Sequence, residues 1–409
     1  MTTHEKVILV GVETEKNYQT FSASMEELAN LTETANGEVV FVLTQKRPQV
    51  DRQTVIGKGK LEELIQLTDA YEADLVIFNH ELTPRQNQLL SEALAVRVID
   101  RVQLILDIFA LRARSKEGKL QVELAQLDYL LPRLAGQGKQ LSRLGGGIGT
   151  RGPGETKLES DRRHIRNKIL GIRRELKEVT AHRERSRQKR QNSELFQIGL
   201  IGYTNAGKST IMNVLTNKNQ YEADELFATL DATTKSVNLI GRLNVTLTDT
   251  VGFIQDLPTE LVSSFKSTLE ESKNVDLLVH VIDASDPNHE EHEKTVLAIM
   301  KDLDMLDIPR LTLYNKADKA ENFTPTLTPY VLISAKKENS RAVLQEALLN
   351  KMRELFVPFW IKVSPSKAYK LHELESLSII DKREYLEESE TLSGYIAEKN
   401  KWRLEEFYD

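Results

Sequence analysis

An apolar run at residues 196–201 leads directly into Gly202, Tyr203, Thr204, Asn205, Ala206, Gly207, Lys208, Ser209 and Thr210, and a helical pattern opens at the lysine. No other feature constrains the fold as much, because a glycine turn of this kind belongs at the carboxyl edge of an open parallel sheet. Gly202 and Gly207 let the backbone curl until its N–H groups converge at a helix N-terminus, where the helix dipole favours an anion. The expected ligand is a polyphosphate: Lys208 neutralises its outer phosphates and Ser209 ligates magnesium. Residues 202–210 are therefore the phosphate-binding candidates.

Further strands are expected at 237–240, 245–248, 277–282, 310–314 and 330–333, giving a doubly wound sheet. Asp249 closes one of them and Gly252 follows, which puts a carboxylate near the metal and a glycine N–H near the last phosphate. Asn315, Lys316 and Asp318 end another strand, where the Asp318 carboxylate can accept from the N1 and N2 donors of guanine. Adenine has no such pair, so the site selects GTP. Ser334, Ala335 and Lys336 follow the next strand, where a backbone N–H can read guanine O6. A third metal ligand is expected between the loop helix and Asp249. Thr229, in LFATLDATT, is the choice, with Thr233 and Thr234 left open. Phe253 stands where several GTPases carry a water-orienting glutamine, and an apolar side chain cannot orient water. No catalytic residue is assigned, and intrinsic turnover is expected to be slow. Asn205 fits the GxxNxGKS pattern of potassium-activated GTPases, which adds K+ to Mg2+ as a candidate cofactor.

Ahead of this region, apolar runs at 7–12, 39–43, 75–78 and 96–99 alternate with helical patterns at 24–31, 61–70 and 84–93, which predicts a small parallel sheet. Leu120, Leu124, Leu127, Leu131 and Leu134 step by heptad spacing, as do Ile165, Ile169, Ile172, Leu176 and Val179. Two such stripes separated by the glycine-rich stretch 136–157 predict an antiparallel helical hairpin with a long tip loop. The tail carries one expected strand, 360–363, and charged amphipathic segments. The fold class is thus α/β and multi-domain: an N-terminal parallel α/β domain (1–112), the hairpin (113–192), a P-loop doubly wound domain (196–356) and a small C-terminal domain (357–409).

Charge is segregated. Residues 157–190 hold 13 Lys/Arg against 5 Asp/Glu, a net +8 in a chain of net −6, so the remainder carries −14. A basic block in an acidic chain points to a polyanion at that place. The chain has no cysteine, which excludes thiolate metal sites and cysteine nucleophiles and suits a reducing, cytoplasmic setting. No stretch reads as membrane-inserting.

The motifs GGGIGTRGPGETKLESDRR, GYTNAGKST, LFATLDATT, DTVGFI and NKAD together resemble those of the HflX GTPases, over about residues 1–355 and more weakly in the tail. The resemblance implies a ribosome-associated GTPase that cycles between GTP and GDP, binds the large ribosomal subunit and its rRNA, and separates stalled or idle ribosomes under stress; a monomer is expected. Lys139, Arg143, Arg151 and Lys157 on the tip loop are the RNA-binding candidates, reading shape and charge because the loop has no stacking aromatic. An assembly or storage factor that separates nothing is the alternative. A third reading is an ATPase in the first domain, where Gly57, Lys58, Gly59 and Lys60 precede a helix. A basic turn capping that helix explains GKGK more simply.

Overall fold

The computed structural model describes residues 4–134, 157–191, 194–216, 227, 233–239, 241–249, 252–254, 273–321, 323–386 and 389–407. The chain forms two compact units, one built mainly from residues 1–182 and the other mainly from residues 183–409.

In the first unit, β1 (Glu5–Glu13), β2 (Gly37–Lys46), β3 (Leu75–Phe78) and β4 (Arg97–Asp100) alternate with α1 (Phe21–Thr34), α2 (Lys58–Tyr71) and α3 (Pro84–Leu94), and α4 (Arg101–Arg112) follows. The strand order is β2-β1-β3-β4, every pair parallel. The residues dictate this arrangement: β3 is buried along its whole length, as a strand covered by helices on both faces must be. Thr83 and Gln86 cap α3 reciprocally, with Pro84 supplying the fixed φ of a first helical turn. Ile8, Val10, Val76, Phe78, Leu64 and Leu90 form the core on one side of the sheet. The helix α4 was not among the expected elements. It begins at once after β4, with the Asp100 side chain accepting from Gln103 N as its cap.

Next come α5 (Lys116–Arg133) and α6 (Lys157–Gln191). The two heptad stripes meet as their spacing demands: Leu124, Ile169 and Ile172 are buried together, with Leu120, Leu127, Leu131, Ile165 and Leu176 packed around them. Ion pairs Lys116 to Glu175 and Glu123 to Lys168 fix the antiparallel sense.

In the second unit, β5 (Phe196–Gly202), β6 (Thr233–Asn238), β7 (Asn244–Asp249), β8 (Leu277–Asp283), β9 (Arg310–Asn315) and β10 (Tyr330–Leu332) form one sheet, ordered β10-β9-β8-β5-β7-β6. Among the described residues α7 (Lys208–Thr216), α8 (His289–Asp302) and α9 (Ser340–Leu355) accompany it. All strands are parallel except β6, which runs antiparallel to β7 at the edge. The expectation of a strand at 237–240 was misplaced. Hydrogen bonding to β7 extends the strand back through polar residues 233–236, and Gly241, at φ 80°, turns the chain just beyond it.

The tail also exceeds its expectation of one strand. Three antiparallel strands, β11 (Val357–Val363), β12 (Ser378–Leu386) and β13 (Ser389–Ile396), stand in the order β11-β13-β12 with α10 (Leu371–Leu377) and α11 (Trp402–Glu405). Charges on the exposed positions of β12 hide its alternation. Ile379 and Ala397 join Met352 and Phe356 in the core of the six-stranded sheet, so the tail packs as part of this unit. Among the described residues no helix is long and apolar enough to cross a membrane.

Candidate nucleotide site

The central strand β5 delivers residues 202–207 to the carboxyl edge of the sheet, and α7 starts at Lys208. Gly207 is at φ 96°, and a Cβ there would lie 2.2 Å from Asn315 Nδ2, so only glycine fits. Asn205 takes the left-handed conformation at φ 57°. Tyr203, Thr204 and Ala206 are buried. Thr204 N donates to Phe253 O at 2.7 Å, which fastens the loop to the segment after Gly252. That segment must come close: a Cβ on Gly252 would stand 2.8 Å from Thr204 Cα and 3.1 Å from Lys208 Nζ.

Lys208 is buried, and its ammonium group donates to the carbonyls of Gly202 (3.1 Å) and Tyr203 (2.8 Å). Burial pulls its pKa down to about 8, against the opposing pull of Asp249. A buried ammonium resting on loop carbonyls is poised to move onto an anion, where charge-assisted bonds replace neutral ones. Ser209 Oγ donates to Asp249 Oδ2 at 2.8 Å, and Asp249 is fully buried. A hydroxyl and a carboxylate side by side are the hard oxygen donors that suit magnesium, which takes its other ligands from water and phosphate. Thr229 lies outside the described residues. Of its two alternatives, Thr234 bonds Thr248 across the β6–β7 ladder at 2.9 Å, and Thr233 is the first residue of β6, paired with Asp249.

The base end forms at the tips of β9 and β10. Asn315 is buried and ties three segments together: Nδ2 donates to Ala206 O and Oδ1 accepts from Ala335 N, each at 3.0 Å. Asp318 is exposed and accepts from Ser334 Oγ, a bond that holds its carboxyl below the usual range. Asn205, Gly207, Thr210, Asn315, Lys316, Asp318, Lys319, Ser334, Ala335 and Lys336 line a single pocket. Of the phosphate candidates, Asn205, Gly207 and Thr210 thus share a pocket with the base candidates. Sequence reasoning missed the support of Lys316, whose Nζ pairs with Asp283 Oδ2 at 2.7 Å. Asp283 ends β8, and nothing local in the sequence announces a pair formed across neighbouring strand tips. Phe253 is 2% exposed, a core residue and no handle on water. Lys139, Arg143 and Arg151 lie outside the described residues; Lys157 is the first residue of α6, its side chain likewise outside them.

Comparison with known proteins agrees with this geometry. Residues 22–110 match the family described as GTP-binding GTPase N-terminal, 112–190 its middle region, and 197–316 the family described as 50S ribosome-binding GTPase. The GTPase HflX of Alkalihalophilus pseudofirmus is 50% identical over 396 residues, covering 96% of this chain and 93% of that protein. That of Escherichia coli K12 is 39% identical, covering 95% and 92%. The solved SsGBP and GDP complex is similar at 25% identity and a TM-score of 0.50, covering 85% of this chain and 98% of that one. A phosphate-loop fold, family models along most of the chain and relatives matched along nearly their whole length lead to one conclusion: the chain is a GTPase and belongs to the HflX family.

Proposed function

We propose that GTP binds with its phosphates on residues 202–210 and Gly252, its guanine against Asn315, Lys316, Asp318 and the 334–336 turn, and magnesium on Ser209, Asp249 and Thr229. A magnesium ion held there would neutralise charge on the outer phosphates, and Lys208, which donates to the Gly202 and Tyr203 carbonyls, would add its own positive charge on turning to the phosphates. Asn205, held at φ 57° beside the pocket, is the residue through which potassium acts. Phe253 is buried and cannot orient water, so a partner raises the rate.

The partner is the large ribosomal subunit, reached through the hairpin, and the outcome is separation of stalled or idle ribosomes by a cytoplasmic monomer. The observation that carries this reading is the antiparallel seam of α5 and α6, which brings the ends of both helices to the segment holding Lys139, Arg143 and Arg151. The family description for residues 197–316, a 50S ribosome-binding GTPase, supports it. The domain division 1–112, 113–192, 196–356 and 357–409 is proposed on the same footing.

Exchanging Arg143 and Arg151 for Ala tests the reading. GTP affinity and unstimulated turnover should stay normal, while binding to large subunits weakens and its log–log salt slope becomes shallower by roughly two, about one unit per lost phosphate contact. Gradient sedimentation should show loss of subunit separation as well. Unchanged binding and slope would place the RNA-facing surface elsewhere, and normal binding without separation by the wild type would favour the storage factor.

A further inference from the structure

Two adjacent residues of α8, His292 and Glu293, reach opposite ends of the nucleotide pocket through contacts that no motif covers. The His292 ring lies flat on that of Tyr203, with centroids 3.7 Å apart and planes 8° from parallel. Tyr203 is the second residue of the phosphate loop; its carbonyl accepts from Lys208, and it bridges to Phe253. Its ring therefore fixes the backbone that Lys208 rests on and that abuts Gly252. The imidazole is itself held, with Nδ1 3.5 Å from Asp286 Oδ2, while Asp286 Oδ1 accepts from Asn288 N in the turn before α8.

Glu293 is 3% exposed, and its carboxylate accepts from Tyr314 Oη at 2.9 Å and from the Thr326 hydroxyl. Tyr314 is fully buried and directly precedes Asn315; its oxygen also accepts from the N–H groups of Thr326 (3.1 Å) and Leu327 (3.0 Å). One step of about 100° along a helix aims neighbouring side chains in different directions. Since β5 and β9 flank β8 in the sheet, that step takes His292 to the loop after β5 and Glu293 to the end of β9.

We propose that His292 and Glu293 are positioning residues, which brace the phosphate loop and the base loop against one helix so that both ends of the pocket share a single rigid support. The proposal rests on the placement of phosphate at Lys208 and guanine at Asp318. It makes the two ends separable: His292 acts on whatever carries phosphates, and Glu293 on the choice of base.

The test measures release of fluorescent GDP, with KM and kcat for GTP and inosine triphosphate, in the full chain. His292→Ala should speed GDP release and raise KM for both triphosphates equally, by about two- to twelve-fold, the range that an aromatic stack supports. His292→Phe, which keeps a flat ring, should restore both; His292→Leu, similar in bulk without a ring face, should not. Glu293→Leu should lower the preference for GTP over inosine triphosphate, which lacks the amine read by Asp318, whereas Glu293→Gln still accepts from Tyr314 and should keep it. Wild-type release in the Ala and Leu variants, or Phe behaving like Leu, would overturn the brace. Lys208→Ala is the reference: tight GTP binding there would overturn the site assignment itself, and its loss alongside normal His292 variants would overturn the brace alone.

Discussion

The two parallel α/β sheets of this chain offer the same opportunity and use it differently. Each is open, and each places loops at its carboxyl edge, where such sheets bind ligands. In the first sheet the polar groups at the β4 end of that edge are bound by its own side chains, while a cleft of about 350 Å³ lined by Glu13, Tyr18, Lys46 and Arg47 stays open at the ends of β1 and β2. Asp100, fully buried at the end of β4, accepts from Leu82 N (2.9 Å), Gln103 N (2.9 Å) and Tyr129 Oη (2.8 Å) and pairs with Arg133 at 3.4 Å. Arg101 is spent on Glu27, Ser24 O and Asn79. Even the Gly57 to Lys60 turn is engaged, with Gly57 N donating to Gln45 and Lys60 paired with Glu63. In the second sheet the edge carries Gly202, Gly207 and Gly252, and its buried cation rests on loop carbonyls. Topology supplies a crevice in both; the residue types decide whether it is built for a polyphosphate, and the first sheet's cleft carries Glu13 and Glu15 where the second carries a glycine loop and a buried lysine.

The difference can be broken from either side. The largest effect is expected in the first unit, where Asp100→Ala leaves Leu82 N, Gln103 N and the Tyr129 hydroxyl without their acceptor and should cost about 3–5 kcal/mol in stability, roughly 1–3 kcal/mol for each buried donor. Denaturant unfolding of that unit reports the loss, and GTP affinity at the second sheet should hardly change. A comparable fall in GTP affinity would mean that the two sheets are not independent. On the second sheet, Asp318→Asn exchanges an acceptor for a group that can donate to the xanthine oxygen. GTP should weaken relative to xanthosine triphosphate by about 1.5–3 kcal/mol per lost charge-assisted bond. Unchanged guanine preference would remove the base assignment.

A smaller effect concerns a polar group the second unit keeps unsatisfied. His280 on β8 is 1% exposed, and neither ring nitrogen has a hydrogen-bond partner among the described residues. Burial first, with Arg310 and Lys208 adding to it, pulls its pKa down to about 3 from the usual 6.5. The unfolded chain therefore takes up this proton before the native one does. The contribution is complete above about pH 6.5 and is lost as pH falls toward 3, at up to about 1.4 kcal/mol per pH unit. His280→Leu should flatten that window in urea melts compared between about pH 7 and pH 5. Curves that stay parallel for both proteins would contradict it.

The nucleotide motifs were legible because each is a local string whose chemistry depends on backbone shape at one strand end. Gly202 through Ser209 needs no distant partner to be recognised, and the heptads of α5 and α6 carry their seam in their own spacing. The pairs that steady the site were not legible: Asp283 with Lys316, His292 with Tyr203 and Glu293 with Tyr314 join residues far apart in the chain. The edge strand β6 was misplaced and β12 and β13 were missed for a related reason. Their registers are set by pairing to a neighbour, and their polar faces dilute the apolar alternation that would have marked them.

The claim that all nucleotide chemistry sits at the second sheet meets its most direct test in Lys208→Ala. Hydrolysis of GTP and of ATP should be measured on the full chain, with and without large ribosomal subunits. The account predicts that GTP turnover is lost, because the variant gives up a buried charge-assisted contact worth roughly 1.5–3 kcal/mol or more, and that no ATP turnover remains. Persistent ATP hydrolysis in that variant would place a working phosphate site on the first sheet and would contradict the account.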